Sequence, residues 1–210
     1  MLLIGLTGSI GMGKSQTAKL FAKEGIPFYD ADATVHALYD KGGAAVAPIG
    51  EAFPDAVQGG RVDRATLSGL VLGDSAALLK LEGIVHPLAR QAQQRFLQAR
   101  AAEGCPAVVL DIPLLLEKNG EGLVDLVVVT SAPPELQKQR VLNREGMTAE
   151  KFAAITSKQL PDSEKRKRAD FVVDTSVSVD DAHRQIRDII KELESWPAKA
   201  WSARQHETPV

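Results

Sequence analysis

The sequence predicts an α/β fold in three layers, with a five-stranded parallel sheet between helices. Three observations carry this. Five short apolar runs recur along the chain, at residues 2–6, 27–29, 107–110, 126–129 and 171–173. Most are continuous rather than alternating, which is the pattern of strands buried on both faces. The segments between them read as helices, and parallel strands need such crossovers.

The elements follow in order. After the first run, a helix is expected over about 13–24, stopped by Gly25 in a left-handed turn and by Pro27. The last helix is capped by Ser178, with Asp181 as its capping-box partner. Val179, Ala182, Ile186, Ile189, Ile190 and Leu193 then form one apolar stripe that covers the sheet, while His183 falls on the polar, solvated side. Beyond Trp196-Pro197 the pattern ends, and residues 196–210 read as a frayed tail.

Two stretches lie outside this core. Residues 31–104 contain no convincing strand and read as a helical insertion, with helices at 65–72, 76–84 and 87–102. Such an insertion suits a substrate-binding subdomain. Residues 144–168 are polar and basic: from Gln137 to Arg168 there are nine Lys or Arg against four Asp or Glu. In a chain of net charge −2 this local block implies a local anionic ligand. Taken alone, the tetrad Lys165-Arg166-Lys167-Arg168 reads as a solvated helix.

Composition removes several classes of function. The chain is 44% hydrophobic and 25% charged, an ordinary globular balance. A near-neutral charge argues against a nucleic-acid binder. A lone cysteine, Cys105, makes no internal disulfide. The apolar opening is too short for a signal peptide, and no run approaches a membrane span, so a cytoplasmic home is expected. His36, His86, His183 and His206 are scattered and form no zinc pattern.

The most specific signal is Gly8-Ser9-Ile10-Gly11-Met12-Gly13-Lys14-Ser15, a full G-x-x-x-x-G-K-[ST] after a strand and at the start of a helix. Its glycines let backbone N–H groups form a concave anion nest, reinforced by the helix N-terminus. Lys14 brings a cation to the β- and γ-phosphates, and the Ser15 hydroxyl is a hard ligand for Mg²⁺. Gln16 rules out a dinucleotide-binding G-x-G-x-x-G, and Thr7 rules out a nucleophile elbow. The ligand is a nucleoside triphosphate, ATP by expectation.

Asp30-Ala31-Asp32 follows the second strand, so both carboxylates leave the sheet edge that carries the phosphate loop. Taken alone, Asp32 before Ala33, Val35 and Leu38 reads as a helix N-cap; with two carboxylates, one can cap while the other orients an alcohol and accepts its proton. Asp111 closes Val108-Val109-Leu110-Asp111. It either holds Mg²⁺ through water or starts the turn at Pro113.

These residues resemble the dephospho-coenzyme A kinase family. The likeness joins the phosphate loop to Asp30-Ala31-Asp32 with His36, then to the stretch from Leu81 through His86-Pro87, and to Asp111-Ile112-Pro113-Leu114-Leu115-Leu116-Glu117. It continues through Gln139-Arg140-Val141-Leu142, Arg144 and Gln159 to Ala169-Asp170-Phe171-Val172-Val173, covering residues 2–190. The resemblance implies a P-loop kinase fold and transfer of the γ-phosphoryl of ATP to the ribose 3′-hydroxyl of dephospho-coenzyme A. It also implies Asp32 and Lys14 as catalytic residues, and residues 8–16 with Arg140 and Arg144 at the nucleotide. His36, Arg61, Arg90, Pro113 and Leu114 would serve the coenzyme A precursor, together with His86, which suits a structural role equally well. Residues 144–168 would form a lid that excludes water, within one kinase domain of residues 1–195. No nucleic-acid or membrane partner is expected. At Asp174-Thr175 the family often carries Asp-Asn, and Leu67-Ser68-Gly69 replaces a bulkier pattern. The rivals are a shikimate- or nucleoside-type kinase and a non-catalytic nucleotide switch.

Overall fold

A computed structural model describes residues 1–206, with the side chains of Ala203, Gln205 and His206 excepted. The first part of the chain gives β1 (Leu2–Thr7), α1 (Lys14–Lys23), β2 (Phe28–Asp30), α2 (Ala31–Tyr39), α3 (Val46–Ala52), β3 (Val57–Gln58), β4 (Arg61–Val62), α4 (Arg64–Val71) and α5 (Ser75–Ala102). There follow β5 (Ala107–Asp111), β6 (Leu126–Ser131), α6 (Pro134–Leu142), α7 (Ala149–Thr156), α8 (Asp162–Lys167), β7 (Phe171–Asp174), α9 (Val179–Leu193) and α10 (Ala200–His206). Two compact units result, one from residues 1–29 and 100–206, the other from residues 30–99.

The first unit is built on a sheet ordered β2-β5-β1-β6-β7, in which β1 pairs in parallel with β5 and β6, and β6 with β7. Every residue of β1 is buried, as its unbroken apolar run requires. Leu2, Ile4 and Leu6 join Ala18, Leu20 and Phe21 of α1 and Ala182, Ile186, Ile189 and Leu193 of α9 in one core. On the opposite face a methyl at Gly5 would lie 2.7 Å from Leu115 Cδ2, so the residue must be small there.

Helix α9 begins at Ser178, whose Oγ accepts the Asp181 amide at 3.0 Å and lies 2.5 Å from its carboxylate. Two side chains differ from the sequence reading. Val179 is exposed, since it precedes the turns that reach the sheet. His183 is buried, not solvated, because Nε2 lies 2.5 Å from Glu24 Oε1 at the end of α1. The stretch after Trp196 also departs from expectation. Asp125 Oδ1 accepts the amides of Lys199 and Ala200 at 2.6 and 2.7 Å and caps α10, and Trp196 Nε1 donates to Asp125 O at 3.0 Å. These partners lie about 70 residues upstream, so no local pattern signals them. Residues 207–210 of that tail lie outside the described residues.

The second unit packs Ala45, Ile49, Phe53, Ala56, Val62, Leu67 and Val85 into its own core. It holds the antiparallel pair β3–β4 where no strand was expected. Each strand is two residues long, too short for periodicity, and Gly59 and Gly60, at φ 59° and 77°, form the turn. Helix α5 runs unbroken through Pro87, where two helices were expected. Proline removes the N–H that would bond the Gly83 carbonyl. Both residues are exposed, so water can satisfy that carbonyl.

Candidate active site

In the first unit, the loop between β1 and α1 is held by contacts from Thr130, Gln137, Val141, Gln159 and Thr175. Gly11 and Gly13 have φ of 81° and 86°, which disfavour a side chain. A methyl at Gly8 would lie 2.1 Å from Thr130 Oγ1, and one at Gly11 2.5 Å from Val141 Cγ2. Ser9 and Met12 are buried, whereas Ser15 and Gln16 are exposed on the first turn of α1. The two peptide groups flanking Ile10 are both held: its N–H donates to Gln159 Oε1 at 3.1 Å, and its carbonyl accepts from Gln137 Nε2 at 2.8 Å.

Lys14 Nζ makes an ion pair with Asp111 Oδ1 at the end of β5, and both groups are mostly buried. Asp111 is thus more than the start of a turn. Next to it, Pro113 O accepts from Thr7 Oγ1 at 3.2 Å, and Leu114 is exposed.

Arg140 of α6 reaches the residue after β7. Its Nη1 donates to Thr175 Oγ1 at 3.0 Å and its Nη2 to Thr175 O at 2.6 Å. The same hydroxyl lies 3.1 Å from the Met12 carbonyl. The unit therefore gathers Lys14, Asp111 and Arg140 around the loop's surroundings, while Arg144 is exposed just beyond the end of α6. Asp174 sits below the ordinary carboxylate range because the Ser176 hydroxyl and amide donate to it, with Arg166 and Arg140 adding positive charge.

The basic stretch is anchored by buried charge. Lys165 is fully buried, with Nζ 2.7 Å from Glu117 Oε1. Arg168 Nε donates to Glu121 at 2.7 Å, and Nη1 to Leu116 O at 3.0 Å. The tetrad is therefore not a solvated helix: it alternates anchors with exposed Arg166 and Lys167. Burial alone would raise the Glu117 carboxyl, but the Lys165 ammonium and the Leu160 amide hold it below the ordinary glutamate range.

In the second unit, Asp30 is the N-cap of α2, with Oδ1 accepting the Ala33 amide at 2.9 Å. Asp32 is exposed in the first turn. His36 Nε2 lies 2.5 Å from Arg64 Nη1. Arg61 is exposed on β4, and His86 and Arg90 are exposed one turn apart on α5.

Sequence reasoning missed Gln137 and Thr130, and it placed Glu117, Gln159 and Thr175 in the family pattern, Gln159 also in the expected lid, without the contacts that tie them to the loop. Their partners lie far off in sequence, and only the glycine spacing of the loop hinted that neighbours press on it.

The comparisons with known proteins bear out the family resemblance. The dephospho-CoA kinase family model matches residues 2–181. A dephospho-CoA kinase of Rhodopseudomonas palustris is 54% identical over 199 residues, covering 95% of this chain and 99% of that protein. A Thermus thermophilus crystal structure aligns with a TM-score of 0.77 at 37% identity, covering 91% of this chain and 97% of that one. The dephospho-CoA kinase from Campylobacter jejuni aligns with a TM-score of 0.63 at 25% identity, covering 91% and 96%. With a family match over most of its length and a relative sharing half its residues, this chain belongs to the dephospho-CoA kinase family.

Proposed function

We propose that this chain transfers the γ-phosphoryl group of ATP to the ribose 3′-hydroxyl of dephospho-coenzyme A, giving coenzyme A and ADP in the last step of coenzyme A biosynthesis. The observation that carries the reading is the glycine-held loop of residues 8–15 with Lys14 at its end, in a chain of this family.

The loop amides and Lys14 take the triphosphate, and Arg140 and Arg144 serve its charge. Phosphoryl transfer needs alignment and charge neutralisation more than covalent help. The 3′-oxygen bonds to the γ-phosphorus as the bond to the β,γ-bridging oxygen breaks, and the hydroxyl proton passes to Asp32. Asp32 suits this because Asp30, its neighbour, already serves as the helix cap. The family resemblance supports reading His36, Arg61, His86, Arg90, Pro113 and Leu114 as residues that serve the acceptor substrate. Residues 144–168 act as the lid that keeps water from the phosphoryl group.

Ser15 at the start of α1 and Asp111 at the end of β5 offer hard oxygens. That donor set fits Mg²⁺, which keeps waters and completes its shell with substrate phosphates. Ser15 directly and Asp111 through water would hold it, and the ion supplies charge neutralisation at the phosphates. The reaction is read as cytoplasmic, with ATP and dephospho-coenzyme A as its small-molecule partners and neither nucleic acid nor membrane required. Among the described residues no helix is long and apolar enough to cross a membrane.

A coupled assay of ADP release tests the reading. Turnover should rise strongly on adding dephospho-coenzyme A and little with shikimate or nucleosides. Equal turnover with and without dephospho-coenzyme A would remove it.

A further inference from the structure

The Ile10 N–H belongs to the phosphate loop yet is committed to a side chain, Gln159 Oε1, at 3.1 Å. Gln159 in turn precedes a residue whose own backbone is tied down. The Leu160 amide donates to Glu117 Oε1 at 3.0 Å, and the same oxygen lies 2.7 Å from the fully buried Lys165 ammonium. Ser131 Oγ donates to Asp162 Oδ2 at 2.7 Å, so residues 160–165 are also fastened to the end of β6. One line of contacts therefore runs from the carboxylate of Glu117, through the backbone at Leu160 and the side chain of Gln159, to the second peptide after Gly8. The proposed phosphoryl transfer gives Glu117 no part, and Gln159 enters it only as one position of the lid at residues 144–168.

We propose that Glu117 is a positioning residue for the phosphate loop, acting through Leu160 and Gln159. An anion nest works only if its N–H groups already point inward when the triphosphate arrives. Glycine makes this loop easy to fold around phosphate and equally easy to misalign. Gln159 and Gln137 fix the two peptide groups flanking Ile10, which sets the tilt at which the chain enters Gly11, Met12 and Gly13. Glu117 holds Gln159 at the height where its carbonyl meets that amide. Any acceptor at residue 117 could take the Leu160 amide; the charge is needed only because Lys165 shares the same oxygen. The two tasks of Glu117 are thus separable. The inference rests on the reading that this loop takes the triphosphate of ATP.

The test measures ATP affinity of the full chain by calorimetry, without acceptor, alongside the thermal midpoint. Gln159→Leu should weaken ATP binding about five- to tenfold, the scale of one hydrogen bond, with the midpoint little changed. Glu117→Gln with Lys165→Met removes both buried charges and keeps an acceptor for Leu160, and should bind ATP within about twofold of wild type. Glu117→Leu with Lys165→Met also removes both charges but leaves Leu160 without its acceptor. It should match the loss in Gln159→Leu, and adding Gln159→Leu should cost nothing more, since the two act in series. Wild-type affinity in the Glu117→Leu pair, or a triple variant whose losses add, would overturn the proposal. Should that pair fail to fold, Glu117→Asp keeps the charge but shortens the reach. A severalfold loss supports the proposal there, and wild-type affinity overturns it. Lys14→Met separates the underlying reading: if ATP affinity survives that change, the loop reading itself is wrong.

Discussion

Thr175 Oγ1 donates to the Met12 carbonyl across 3.1 Å, joining the residue after β7 to the phosphate loop. The hydroxyl also accepts from Arg140, whose second nitrogen donates to the Thr175 carbonyl at 2.6 Å. One side chain therefore holds both the Met12 carbonyl of the loop and the fork of Arg140. Thr175→Val keeps the shape and removes the hydroxyl. Stability should fall by about 1 kcal/mol in denaturant titrations, and the KM for ATP should rise severalfold. Unchanged values of both would leave Thr175 a spacer.

Gly13 faces the same threonine. Its φ is 86°, and a methyl there would lie 3.0 Å from Thr175 Cγ2. Gly13→Ala combines a left-handed penalty of about 1–2 kcal/mol with this crowding. A lower thermal midpoint is expected together with weaker ATP binding, because Gly13 is also the residue from which α1 starts.

Asp30 and Asp32 should separate cleanly. Asp30→Ala removes the cap of α2 and should cost about 1 kcal/mol of stability, seen in the unfolding of the second unit. Asp32→Asn should leave stability and ATP affinity near wild type while phosphoryl transfer falls by roughly 10²–10⁴-fold, the usual scale for a lost general base. Unimpaired turnover in Asp32→Asn would reduce that residue to surface charge.

Glu117 predicts a pH dependence. Its carboxyl is held below the ordinary glutamate value of about 4.3 in the folded state. The unfolded chain therefore binds the proton more readily, and the stabilisation is fully present above that value. It is lost as pH falls through the lower, folded value. Wild type should thus lose more stability below about pH 4.3 than the Glu117→Gln, Lys165→Met pair, which lacks the coupled carboxyl. Parallel acid-unfolding curves for the two would contradict this.

Asp125 holds the end of the chain. Its carboxylate accepts the amides of Leu3, Lys199 and Ala200 at 2.7, 2.6 and 2.7 Å. Asp125→Ala leaves three amides without this acceptor and should destabilise by about 2–3 kcal/mol in chemical denaturation. Proteolysis should then cut first after Trp196.

Much of the core was legible from local pattern. Each apolar run became a strand because a strand buried on both faces needs continuous apolar residues, whatever its neighbours. The motif at residues 8–15 carried the loop because its glycines answer to backbone angles, which are local. The exceptions have a common cause. Val57–Gln58 and Arg61–Val62 are too short to show a period. Pro87 normally breaks a helix, but an exposed helix face lets water satisfy the freed carbonyl. His183 sits on the polar side of its helix by spacing, yet Glu24 of α1 makes burial tolerable there.

By itself, then, the sequence determined the five strands of the large sheet, the phosphate loop, the cap of α9 and the family, since each of these motifs rests on residues near one another in the chain. Only the tertiary structure decided which side chains steady the loop. Gln137, Gln159, Glu117 and Thr175 lie more than a hundred residues beyond it, and hydrogen bonds depend on distances of a few ångströms that no sequence spacing encodes.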